Sequence, residues 1–319
     1  MNKPIAMRDA LLRRILVSMK TDEDVFFISA DFGSPVLDEI RSDYPDRFIN
    51  VGVAEQNLIN VSAGLALEGY KVFSYAIAPF ITMRCFEQLR VNLALLSEVR
   101  RINVNLIGVG AGYSYVVSGP THQCYEDISL IRSLPNFRLF SASDHHVAGH
   151  FFDKSISETG PKYLRLDAQV LPPLRESLND ENLLDGFQLL RKGNEGLIVA
   201  TGYMTHTALS VVERLESSGV KLAVLDLFDL TGFDETKFLS LIKNQPAIFT
   251  MEEVFRGRGG LDSIIGSVLK RVNSKALFES IGVTPGYSFE LGTRQELHEL
   301  VGIGQNFAFQ LINKKLRQI

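Results

Sequence analysis

Apolar positions fall into two rhythms that alternate along the chain. Met7 to Met19 places Leu11, Leu12, Ile15 and Leu16 at helical spacing. Phe26-Phe-Ile-Ser-Ala is a short continuous apolar run ending at Asp31, the pattern of a strand buried on both faces. The turn Asp31-Phe-Gly-Ser-Pro leads into a helix around Val36 to Ser42. Phe48 to Val53 is again strand-like and stops at Glu55; an apolar helix-like run from Leu58 to Leu67 then closes at Gly69. Lys71 to Ile77 predicts the next strand, a helix starts near Pro79, and Arg101 to Gly110 and Gly160 to Asp167 predict two more strands. Strand, turn and helix repeating in this way argue for a parallel sheet covered on both faces.

The rhythm breaks at Leu171-Pro-Pro-Leu-Arg-Glu-Ser-Leu-Asn-Asp-Glu-Asn, a polar, proline-bearing stretch that predicts a linker over 173–186. A hairpin-like piece, Phe187 to Leu190, follows. Strands at 196–202, 221–227 and 247–253 then alternate with helices at 204–216 and 235–242. The expected architecture is α/β with two doubly wound domains, 1–172 and a smaller 187–319. A length of 319 residues suits two domains, and 45% apolar content is ample for ordinary cores. A formal charge of −4 without a basic block leaves no electrostatic footprint for nucleic acid. Two cysteines, Cys85 and Cys124, make no disulfide framework and suit a reducing compartment. The N-terminus lacks a signal-peptide core, and no apolar run reaches the roughly 18 residues that span a bilayer. The expectation is a soluble, cytoplasmic protein.

Glu55 stands at a strand-to-helix junction, where open α/β sheets bind ligands outside the carboxyl ends of their strands. An acid in the first turn of a helix is also ordinary, because the helix dipole favours it there. Asp31 and Ser34 lie at another strand end, where they meet substrate or serve as turn chemistry. His145, His146 and His150 include an i,i+4 pair, but no third metal ligand is evident, so they read as loop or helix-cap residues. Gly257, Gly259 and Gly260 could cradle a phosphate at a helix N-terminus, a weak signal by itself.

The run Gly52-Val-Ala-Glu-Gln-Asn, followed by Ser62-Ala-Gly-Leu-Ala, resembles the pyrimidine-binding segment of transketolases and 1-deoxyxylulose-5-phosphate synthases. Gly119-Pro-Thr-His-Gln matches their second signature, in the right order. Pro135 to Asp144 and the Glu252-Glu-to-Leu261 turn extend the likeness, so the chain resembles a transketolase C-terminal half standing alone as a polypeptide. The resemblance implies thiamine diphosphate as cofactor and Glu55 as the carboxylate bonded to N1′ of its aminopyrimidine. It offers Phe80, or else Tyr75, as the ring that packs on the pyrimidine, although an isolated Phe is commonly plain core. Arg84 matches an arginine of deoxyxylulose-phosphate synthases and short split transketolases, with this sequence one residue longer between aromatic and arginine. His122 matches a histidine that contacts sugar hydroxyls. Ser118 replaces an aspartate with that role, and Tyr115, Val116 and Val117 replace glycines and a glutamate. Arg165 falls where transketolases bind substrate phosphate, or it pairs with a carboxylate at a strand end.

A transketolase histidine near Gly110 is absent. So is any Gly-Asp-Gly, the motif that holds the diphosphate through Mg²⁺. The resemblance therefore implies an N-terminal partner subunit that holds Mg²⁺ and the diphosphate, in a two-fold heterotetramer. The implied reaction is transfer of a two-carbon ketol unit between sugars or sugar phosphates, with Ser118 pointing to a modified sugar. Rival expectations are a deoxyxylulose-phosphate-synthase-like decarboxylating condensation, a β subunit of a 2-oxoacid dehydrogenase, and a non-catalytic scaffolding subunit.

Overall fold

Six strands build the first sheet: β1 (Val25–Ser29), β2 (Phe48–Asn50), β3 (Lys71–Ile77), β4 (Asn103–Val109), β5 (Arg138–Ser141) and β6 (Gly160–Leu166). Their spatial order is β2-β1-β3-β4-β6-β5, and every pair is parallel. The structure is a computed structural model that describes residues 4–319; the first three residues of the expected first domain lie outside the described residues. Helices α1 (Met7–Ser18), α2 (Pro35–Asp43), α3 (Glu55–Leu67), α4 (Phe86–Gln88), α5 (Asp127–Arg132) and α6 (His145–Ser157) cover the sheet. Strand residues alternate between its faces. On β3, Phe73 and Tyr75 join the α1 and α6 side with Leu11 and Phe151, whereas Val72 and Ala76 join the α3 side with Leu58 and Ile59. β4 is buried at every position, as a central strand covered on both faces must be.

Strand order reverses beside β1. The chain leaves β1 for β2 on one side and returns as β3 on the other. The carboxyl ends at such a switch point open into a crevice. Glu55 follows β2 there, and Phe80 follows β3.

The second sheet contains β7 (Phe187–Arg191), β8 (Leu197–Ala200), β9 (Ala223–Leu227), β10 (Ala247–Phe255) and β11 (Leu277–Val283), in the order β11-β10-β8-β9-β7. All its pairs are parallel except β7 with β9, so the hairpin-like piece of the sequence is an antiparallel edge strand. Helices α7 (Asp180–Asp185), α8 (Met204–Glu216), α9 (Glu235–Ile242), α10 (Leu261–Arg271), α11 (Arg294–Leu300) and α12 (Gln305–Leu316) accompany it. The architecture is α/β with two sheets, as the apolar rhythm predicts. Among the described residues no helix is long and apolar enough to cross a membrane.

Two local expectations are corrected. His145, His146 and His150 lie inside α6, whose N-cap is Asp144, accepting from Val147 N at 3.0 Å. The glycine cradle before α10 is filled by the protein itself. Glu252 accepts from Leu261 N at 2.6 Å and from Asp262 N at 2.9 Å, and a Cβ on Gly260 would lie 2.3 Å from its Oε2. Burial, with Asp262 nearby, pushes the Glu252 carboxyl up to about 8. The folded chain thus binds a proton that the unfolded chain has released, so this contribution is present in acid and is lost as pH rises through about 8. Glu252→Gln should gain melting temperature relative to the parent between about pH 5 and pH 8, then hold a constant gap. Parallel pH profiles of the two proteins in calorimetry would contradict the raised carboxyl.

Candidate active site

The turn between β2 and α3 is pinned by Asn50. Its Oδ1 accepts from Gly52 N at 2.9 Å and Asp31 N at 3.1 Å, and its Nδ2 donates to Asp31 Oδ1 at 3.0 Å. Gly52 takes φ +73°, a conformation a side chain disfavours. The chain is thereby turned so that Glu55 opens α3 with its side chain 3% exposed. Arg84 Nη1 meets Glu55 Oε2 at 2.5 Å and is the carboxylate's sole side-chain partner among the described residues.

Arg84 reaches that carboxylate because the segment after β3 is wound wide. Phe80–Arg84 and Leu89–Leu95 are π-helical stretches around α4, with i→i+5 bonding that admits one more residue per turn. The extra residue between aromatic and arginine is absorbed there, and the Arg84 guanidinium still sits 4.5 Å from the Phe80 ring centroid. Thr82 Oγ1 donates to Ala78 O at 2.7 Å within the same turn. The Phe80 ring meets His122 edge-on at 5.2 Å, and His122 meets Tyr115 at 6.4 Å. Glu55, Arg84, Phe80, His122 and Tyr115 therefore form one continuous row across the carboxyl ends of β2, β3 and β4.

The model of the transketolase pyrimidine-binding domain matches residues 3–173, and that of the transketolase C-terminal domain matches residues 186–306. The chain belongs to the transketolase family. One of the two subunits of an apulose-4-phosphate transketolase from Actinobacillus succinogenes is 27% identical over 93% of this chain and 94% of its own length. A 6-deoxy-6-sulfo-D-fructose transketolase subunit from Clostridium sp. is 30% identical over 87% of each chain. A solved split-gene transketolase, described as an inactive tetramer of beta chains, superposes with a TM-score of 0.85 at 27% identity over 99% of both chains.

Within this transketolase-family domain the other expected site residues are placed as follows. His122 ends the turn Gly119–Thr121, with Nδ1 3.0 Å from Thr121 Oγ1, and Ser118 is exposed at the rim of the row. Ser34 is buried, and its Oγ accepts from Leu37 N at 3.3 Å as the N-cap of α2, so local structure already engages it. Tyr75 is not brought beside Glu55. It is fully buried on the α1/α6 face, stacked on Phe32 at 5.1 Å, because its strand position points it away from Phe80's side. Phe80 alone of the two candidates faces the carboxylate. Arg165 is likewise interior, 2% exposed, with Nε donating to Asp127 Oδ2 at 2.8 Å. That buried pair takes the place of the phosphate contact expected from sequence.

Arg8 was missed. It lies at the start of α1, partly exposed, with a buried Nε that lacks a partner among the described residues. Burial raises the Tyr75 and Tyr115 phenols, and the neighbouring Arg8 charge opposes the shift in both. A cation in the first turn of a helix runs against the dipole, and that was the available sequence signal. Among the described residues no group of three or more His, Cys, Asp or Glu is placed to hold a metal ion.

Proposed function

We propose that this chain is the C-terminal subunit of a split, thiamine-diphosphate-dependent transketolase-like enzyme, a cytoplasmic transferase that moves a two-carbon ketol unit between sugar or sugar-phosphate substrates. The observation that carries the reading is the buried Glu55 carboxylate at the β2–α3 junction with Arg84 and Phe80 beside it. A single acid with one half-exposed partner and a flat ring nearby fits the aminopyrimidine end of the cofactor. When bound, the cofactor supplies a nucleophilic thiazolium carbon for the ketose carbonyl.

Glu55 would bond the pyrimidine N1′ and share a proton with it, while the Phe80 ring packs on the pyrimidine face. Arg84, with 42% of its side chain exposed, would yield its place on Glu55 while keeping its contact with Phe80. Buried Leu58 and half-buried Val51 exclude water around the acid, which strengthens each polar contact made there. His122 would bind or protonate a sugar oxygen at the rim. Ser118 offers a neutral hydroxyl in place of a carboxylate, and Arg8 would meet an anionic end of the sugar. The names of two relatives, which specify a sugar phosphate and a sulfosugar, support an anionic substrate.

Mg²⁺ and the diphosphate are assigned to an N-terminal partner subunit, since the sequence contains no Gly-Asp-Gly. Relatives of this length are named as single subunits of their transketolases, and a split-gene relative is described as inactive when its tetramer holds beta chains alone. Both support that assignment and a two-fold heterotetramer. Val53 and Met83, next to Glu55 and Arg84 in sequence, are exposed apolar side chains that an interface would cover. Calorimetric titration of thiamine diphosphate and Mg²⁺ should show binding to the mixture with an N-terminal subunit and none to this chain alone. Tight binding to the lone chain would overturn the shared site. A donor screen of the assembled enzyme should turn over ketose phosphates or modified ketoses; pyruvate consumption with release of CO₂ would assign the decarboxylating condensation instead.

A further inference from the structure

The loop that carries Ser118 and His122 is held from the second domain. Its foot is fixed within the first domain, where Gly110 N and Ala111 N both donate to Leu166 O, at 3.0 and 3.1 Å, and Gln169 Nε2 donates to Ser114 O at 3.1 Å. Its middle is fixed by Glu253, near the carboxyl end of β10. Tyr113 N donates to Glu253 Oε1 at 3.2 Å across 140 positions of sequence. Gly112, at φ +55°, lies so near that a Cβ there would be 2.2 Å from Glu253 Oε2.

Glu253 is itself locked. Arg294 donates from Nε to Oε1 at 2.9 Å and from Nη2 to Oε2 at 2.6 Å, and His298 Nε2 lies 2.6 Å from Oε1. The same guanidinium reaches back to the first domain, with Nη1 2.7 Å from Asp167 Oδ2 just beyond β6, and it lies over the Tyr203 ring at 3.7 Å. The Tyr113 ring packs edge-on to His298 at 5.6 Å and against Tyr125 at 4.9 Å. Burial acts to raise the Glu253 carboxyl, but Arg294 and then His298 hold it far below the usual carboxylate range, so it is a charged acceptor at any physiological pH.

A buried ion network is a poor way to stabilise an interface, because desolvation offsets most of the attraction. What this one does uniquely is fix the height of a backbone N–H in a loop whose tip, Tyr115 to His122, stands over Phe80. We propose that Glu253 and Arg294 are positioning residues for the substrate loop, through which the second domain sets Ser118 and His122 against the reacting sugar. Neither touches substrate or cofactor. The inference rests on reading His122 as a substrate contact.

Glu253→Gln keeps an acceptor oxygen but loses one arm of the fork, and Arg294→Lys keeps the charge without the fork. In the assembled enzyme both should speed amide exchange across residues 111–123 by about 10-fold. Both should also lower kcat/KM for the sugar donor by roughly 10- to 100-fold, chiefly through KM, since small displacements of positioning groups have effects of that size. Cofactor affinity, set at Glu55 and in the partner subunit, should stay within about twofold of the parent, a shift of under 0.5 kcal/mol. A lower melting temperature with unchanged loop exchange and unchanged KM would reduce the network to a structural brace and overturn the proposal. So would a loss of cofactor affinity equal to the loss in KM. If no sugar is turned over by the parent, exchange in the 111–123 segment of this chain still decides the contact, separately from the functional reading. Arg294→Lys, the milder change, carries the test if Glu253→Gln does not fold.

Discussion

Glu55→Gln is expected to lower turnover of the assembled enzyme by roughly 10²- to 10⁴-fold, the contribution of a well-placed proton-transfer group. The change is nearly isosteric, and the amide oxygen can still accept from Arg84. What it cannot do is share a proton with a ring nitrogen, so the loss should appear in kcat rather than in assembly. Stability should move little, because the carboxylate makes one side-chain contact and its partner is 42% exposed, where ion pairs contribute about 1 kcal/mol or less. Steady-state turnover, with cofactor affinity and melting temperature measured on the same preparations, separates these effects. A fall of less than about threefold would contradict the role of Glu55 and favour a scaffolding subunit, since a positioned acid contributes far more.

The alternation of apolar runs made the first sheet legible, because parallel strands buried on both faces leave long continuous apolar segments. The end of the chain was less so. β11 is only partly buried over its first four residues, so it shows no continuous apolar run, and no apolar pattern marked it, α11 or α12. At the site, the two signatures marked Glu55 and His122, but side-chain partnerships lay beyond them. Arg84 reaches Glu55 only because the backbone after β3 winds as a π-helix, which no propensity encodes. Tyr75 was a fair candidate by composition, and the parity of β3 decided against it. Strand alternation was readable, but which parity faces the site depends on the whole sheet. Arg165 with Asp127, and Glu253 with Tyr113, join residues 38 and 140 positions apart, and only the folded chain brings them together.

Arg175→Met should destabilise the chain by about 3–5 kcal/mol, the cost of leaving buried charges without their partner. The segment read as a linker is tied down by this residue. Its Nε donates to Asp144 Oδ2 at 3.0 Å, and its Nη2 donates to Ser143 Oγ at 2.9 Å and also to Asp226. Its Nη1 donates to Gln188 Oε1 at 2.9 Å. Asp144 caps α6 in the first domain and Asp226 lies on β9 in the second, so one guanidinium neutralises a carboxylate from each. Both carboxylates are fully buried, and methionine fills the volume without meeting either charge. Burial acts to raise the Asp144 carboxyl, yet Arg175 overcomes this and holds it below the usual range. The stability this confers is present above the ordinary aspartate value and is lost as pH falls through the lowered one. The variant lacks that contribution, so its deficit in melting temperature should be largest near neutrality, on the order of 10 °C. The deficit should narrow as the solution approaches about pH 4, where the stranded carboxylates take up protons. A deficit independent of pH would place the loss in packing rather than charge. Adding Asp144→Asn and Asp226→Asn to Arg175→Met should then restore most of the stability at neutral pH, because removing all the charges of a buried network costs far less than removing one.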